Sequence, residues 1–145
     1  MTLKELSRLH YLQQLIARDE EKAEMLRAQA EKTTSELSDM PRGSSAIVQQ
    51  SRREELMIKL SETERRLSER TAKYERIERE LETAIAQIGD EMIESILTFR
   101  FIELLEWDEV AAKVGGNNTE GSVKQQCYRF IRKWEKTCSK CSADT

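Results

Sequence analysis

Proline occurs once, as Pro41, and histidine once, as His10. A chain with so little proline can run helices for tens of residues without losing a backbone hydrogen bond. A lone histidine near one end leaves no Ser-His-Asp arrangement and no histidine-based metal site. Aromatics make up 6% of the residues, so any core has to be mainly aliphatic. Glycine is also scarce, and its one pair, Gly115-Gly116, lacks the Lys-Ser or Lys-Thr of a phosphate-binding loop. No stretch reaches the ~18 consecutive apolar residues of a membrane span. The opening "MTLKELSRLHYLQQL" is polar and periodic, unlike a secretory signal. The three cysteines (Cys127, Cys138 and Cys141) do not form a disulfide framework and suit reduced thiols in a cytosol. These absences lead to the expectation of a non-enzyme with no cofactor and no membrane partner.

What is abundant is charge. Charged residues make up 35% of the chain, yet the net charge is −3, so only its distribution is informative. Between Asp90 and Glu109 the segment is acidic, with Arg100 its only cation. From Lys124 to Lys140 it is basic, with Lys124, Arg129, Arg132, Lys133, Lys136 and Lys140 against Glu135 alone. A basic segment of this kind could meet phosphates.

The apolar spacing predicts an all-α fold. Thr2-Leu3-Lys4-Glu5 fits a capping box. Leu9, Leu12, Ile16, Ala23, Leu26 and Ala30 then recur at three and four, with Asp19 interrupting, which predicts a helix from about 2 to 33. Pro41 and Gly43 in "MPRGSS" break the chain, and Ser44 or Ser45 could cap a second helix. Leu56, Leu60, Thr63, Leu67, Arg70, Tyr74, Ile77, Leu81, Ala84 and Ile88 keep a heptad rhythm with two polar interruptions, Thr63 and Arg70. A helix over about 47–88 would be roughly 60 Å long at 1.5 Å per residue. Its seam needs a partner, either the first helix folded back as an antiparallel hairpin or another chain, and we favour the hairpin with seam left over for a homo-oligomer. Such a coiled-coil stalk could also serve only as a spacer. Gly89 and Asp90 mark the boundary. The expected organisation is a coiled-coil helical hairpin at 1–89, a small helix-turn-helix domain at 90–136 and a tail at 137–145.

In that second domain Ile93, Ile96, Leu97, Phe101 and Leu104 share a side, and Leu105-Glu106 forms a corner. Trp107 to Val114 makes a short helix with Val110, Ala111 and Val114 inward. Gly115-Gly116-Asn117-Asn118 supplies residues that tolerate positive φ, and Thr119 or Asn118 caps a last helix with Val123, Cys127, Phe130 or Ile131, and Trp134 inward. Small Ala111 permits a close helix crossing. This is a helix-turn-helix pattern whose second helix leaves Glu120, Ser122, Lys124, Gln125, Arg129, Arg132 and Lys133 as the DNA-facing candidates. Gln125 and Lys124 could read base edges, while Arg129, Arg132 and Lys133 could hold phosphates. A three-helix domain with an ordinary basic surface would have the same pattern.

"ILTFRFIELLEWDEVAAKVGGNNTEGSVKQQCYRFIRKW" resembles region 4 of bacterial sigma factors. The shared elements are the run Leu97, Arg100, Phe101, the short helix ending Val114-Gly115, and a Thr-led basic helix. With "MPRGSS", most of the chain is similar to small phage late-gene activators of the RinA/ArpU type. That resemblance implies a sequence-specific transcriptional activator in a bacterial cytoplasm, with double-stranded DNA and host RNA polymerase as partners. It would place Thr119, Glu120, Ser122, Lys124 and Gln125 at the groove-facing start of the recognition helix. Glu106 departs from the family pattern by standing where a capping Ser is usual, and Gly121 weakens the first turn of the last helix. Nothing resembles the promoter-melting region, so a complete sigma factor is not expected. A small terminase-like DNA-packaging protein and a polymerase-binding adaptor without DNA contacts share this architecture. Cys138-Ser139-Lys140-Cys141 is a lone C-x-x-C, two ligands short of a structural zinc site, so no metal is expected.

Overall fold

The computed structural model describes residues 1–39 and 43–143, all of whose regular structure is helical. The helices are α1 (Leu3–Leu6), α2 (Arg8–Asp39), α3 (Ser44–Ala86), α4 (Glu91–Leu97), α5 (Trp107–Val114) and α6 (Glu120–Ala143), and a π-helical turn at Thr98–Ile102 follows α4. The Pro41 break, with Met40 and Arg42 of "MPRGSS", lies outside the described residues. None of the helices described is long and apolar enough to cross a membrane. The described chain divides into two compact units, one of residues 13–73 and one of residues 1–12 with 74–145.

In the first unit, α2 and α3 form an antiparallel helical hairpin. Ala23, Leu26 and Ala30 of α2 bury against Leu56 and Leu60 of α3. The polar interruptions of the two stripes meet each other. Asp19 is buried and accepts hydrogen bonds from Arg66 Nε, at 3.1 Å, and from Arg70 Nη1. Burial alone would raise the pKa of Asp19, but hydrogen bonds from Arg66 and then Arg70 outweigh it and hold the carboxyl below its usual range. Thr63 is buried too, and its hydroxyl donates to the Lys59 carbonyl one turn back. Arg27 pairs with Glu64 across the hairpin at 2.8 Å. A slip by one residue would separate Asp19 from its arginines, so the pair fixes register as polar seam residues do in coiled coils. Ile47, Val48 and Ile58 of α3 stay exposed.

The second unit is organised by local caps. Thr2 and Glu5 form the capping box, but the first helix pauses at Ser7 before resuming at Arg8. Leu6, Leu9 and Leu12 enter the same core as Ile77, Leu81 and Ile85 of α3 and as α4, α5 and α6. Gly89 takes φ +78°, and the Asp90 carboxylate accepts from the amides of Met92 and Ile93 to start α4. The amides of Ala46 and Ile47 donate to the Gly43 carbonyl, so Gly43 takes the N-cap position and Ser44 and Ser45 already lie inside α3.

The corner before α5 has one unexpected device. The π-helical turn adds a residue to the helix after Leu97, with the Glu103 amide donating to the Thr98 carbonyl at 2.9 Å. Leu104 then takes φ +58°, which costs a bulky residue energy, and the Leu105 amide reaches the Phe99 carbonyl. Arg100 braces this corner. Its Nη1 donates to the Leu105 carbonyl at 2.8 Å, and its guanidinium lies 4.9 Å from the centre of the Trp107 ring.

Candidate nucleic-acid interface

Helices α4, α5 and α6 pack on one another in pairs. Trp107, Val110 and Ala111 of α5 and Val123, Cys127 and Ile131 of α6 are buried in the shared core. Phe130 and Trp134 are half-buried and pack ring against ring at 5.4 Å, so Ile131 and not Phe130 holds the central position. Burial pushes the Cys127 thiol up to about 12, which leaves it a neutral, unreactive core side chain.

The turn between α5 and α6 needs two left-handed residues, and the glycines supply both. Gly115 has φ +73° and ψ −163°, and Gly116 has φ +67°. Asn118 braces the turn by donating from Nδ2 to the Gly115 carbonyl at 3.0 Å. Thr119 then caps α6, its Oγ1 accepting from the Ser122 amide at 3.2 Å. At the start of α5 the Glu106 amide donates to Glu109 Oε2 at 2.9 Å, so the glutamate three residues on supplies the return bond of a capping box.

Position along α6 follows from helical geometry. At about 100° per residue, Ser122, Gln125, Arg129, Arg132 and Lys133 share a sector of roughly 100° opposite Val123, Cys127 and Ile131. All five lie on the open face, with only Ser122 partly covered. The other sequence-derived candidates are placed differently. Thr119 is occupied as the cap, while Glu120 and Lys124 are exposed but lie within about 20° of Ile131, on the side of the helix opposite the open face. Ser122 Oγ accepts from Gln126 Nε2 at 3.1 Å, which leaves Gln125 as the amide that faces outward without that engagement.

Among the described residues, no carboxylate forms a salt bridge with Lys124, Arg129, Arg132 or Lys133. By contrast, the cation next to the turn, Lys113, is taken by Glu103 at 3.3 Å. On the open face of α6, Arg129, Arg132 and Lys133 are therefore charged donors with no carboxylate partner among the described residues. The acidic side chains Glu106, Asp108 and Glu109 at the start of α5 present the opposite sign. Sequence reasoning gave Arg100 no structural task, although its position as the only cation in an acidic segment was a signal. No group of three or more metal-ligating side chains occurs among the described residues, and the Cys141 side chain lies outside them. No protein-family model, curated protein or solved structure matches the chain.

Proposed function

We propose that this chain is a sequence-specific DNA-binding protein that activates transcription, the late genes of a phage being the targets implied by the resemblance that spans most of the chain. The observation that carries the reading is the pairing of α5 with α6 across the Gly115-Gly116 turn, with Gln125, Arg129, Arg132 and Lys133 on the open face of α6 and the three cations in no salt bridge among the described residues. A major groove about 12 Å wide admits one such helix. Side chains early on that helix meet base edges, and those later on it leave the groove beside phosphates. On this reading Gln125 reads a base and the arginines with Lys133 hold the backbone. The protein would act in a bacterial cytoplasm, where the acidic segment or the hairpin contacts host RNA polymerase. The exposed Ile47, Val48 and Ile58 support a second copy joining through the hairpin unit.

The test is selection of bound fragments from the genome that encodes the protein, followed by two variants on the selected site. Gln125→Ala should lower preference for that site by about 1–3 kcal/mol while leaving random-duplex binding nearly unchanged. Arg132→Ala should weaken both alike and make the salt slope shallower by about one unit. Folded variants that bind DNA as the parent does at low salt would move the reading to a polymerase-binding adaptor.

A further inference from the structure

The row of cations on α6 does not stop where a groove-filling helix would. Helix α6 runs from Glu120 to Ala143, 24 residues, which is about 36 Å at 1.5 Å per residue. That is roughly three times the width of a major groove. Lys136 and Lys140 continue the sector of Arg129, Arg132 and Lys133 at the same helical spacing, and both are exposed. Neither forms a salt bridge among the described residues.

The second half of α6 is also held in place. On the side away from the cations, the Leu3 amide donates to Glu135 Oε1 at 3.1 Å, and the Met1 nitrogen lies 3.2 Å from Cys138 Sγ. Met1 and Trp134 pack against the same core. The one carboxylate in this stretch, Glu135, is thus turned toward the first residues of the chain and away from the lysines. A free helical extension would need no such brace.

We infer that Lys136 and Lys140 form a second, sequence-independent contact site for the phosphate backbone of duplex DNA, beyond the groove-reading part of α6. This rests on the DNA-binding reading above. The braced half of the helix carries the lysines past the groove edge to strand phosphates, where each ammonium displaces a condensed counterion. Such contacts add affinity and salt dependence equally on every sequence.

The test uses the full chain, a mixed-sequence duplex and a series of KCl concentrations. Lys136→Ala with Lys140→Ala should make the slope of log K against log salt shallower by about 1.8, at about 0.9 per phosphate released. Lys136→Arg with Lys140→Arg should keep the parent slope. Lys59→Ala with Lys73→Ala removes the same charge from α3 and should also keep it, which separates local contact from net charge. Alanine favours helix at exposed sites, so circular dichroism should match the parent. A parent that binds with a slope the double alanine variant does not change overturns this inference and leaves the DNA-binding reading standing. A parent that binds no duplex at low salt overturns both.

Discussion

The turn between α5 and α6 makes a sign prediction that isolates backbone conformation. A Cβ added to Gly115 or to Gly121 would meet no atom within 4 Å, so neither substitution to alanine is opposed by packing. The two sites differ in backbone conformation. Gly115 has φ +73° and ψ −163°, a region that is almost exclusively glycine's. Holding alanine there should cost about 1–3 kcal/mol. Gly121 lies in the first turn of α6, where glycine only adds conformational freedom to the unfolded chain. Gly121→Ala should therefore stabilise by about 0.5–1 kcal/mol. The measurement is urea unfolding followed by Trp107 and Trp134 fluorescence, since both indoles belong to the unit that contains the turn. The expected result is a lower midpoint for Gly115→Ala and a higher one for Gly121→Ala, with unchanged m-values. Shifts of the same sign, or a neutral Gly115→Ala, would refute the assignment of Gly115 to this conformation and with it the turn geometry.

Two further outcomes test the packing. Leu81 is buried and Leu67 is half-exposed, so Leu81→Ala should cost about 2–5 kcal/mol and Leu67→Ala clearly less, read as the difference in unfolding free energy. The lowered pKa of Asp19 means that its pairing with Arg66 and Arg70 contributes fully above the unfolded-state pKa, near 3.9, and is lost as pH falls through the lower folded-state value. Asp19→Asn should therefore be less stable than the parent at pH 7, by about 1–2 kcal/mol because the arginines remain partly solvated, and the gap should close on acidification below about pH 4. A gap that stays constant from pH 7 to strong acid would show that the pair contributes nothing through charge.

The sequence by itself determined the helices and most of their starts, because the interactions that set them are local, but α2 runs to Asp39 beyond the expected end near 33, and α6 continues to Ala143 through the expected tail. Thr2 with Glu5, Gly89 with Asp90, and Thr119 with Ser122 each act within about one turn, so reading neighbours suffices. The spacing of Val123, Cys127 and Ile131 likewise settled which face of α6 is covered, and therefore which residues are open to a partner. Tertiary structure decided what depends on register. Asp19 and Arg70 each read as a defect in a separate apolar stripe, and only packing joins them across 51 residues of sequence into one partly buried contact. The same holds for residues 1–12, which extend the first stripe yet share a core with α4, α5 and α6. An apolar stripe states that a face must be covered but not by what, since leucine against leucine is favourable with any partner. The π-helical turn and the left-handed Leu104 were also beyond local reading. Leucine does not favour that backbone, and it is held there by the Arg100 side chain on the Leu105 carbonyl, a contact that exists only once the corner has formed.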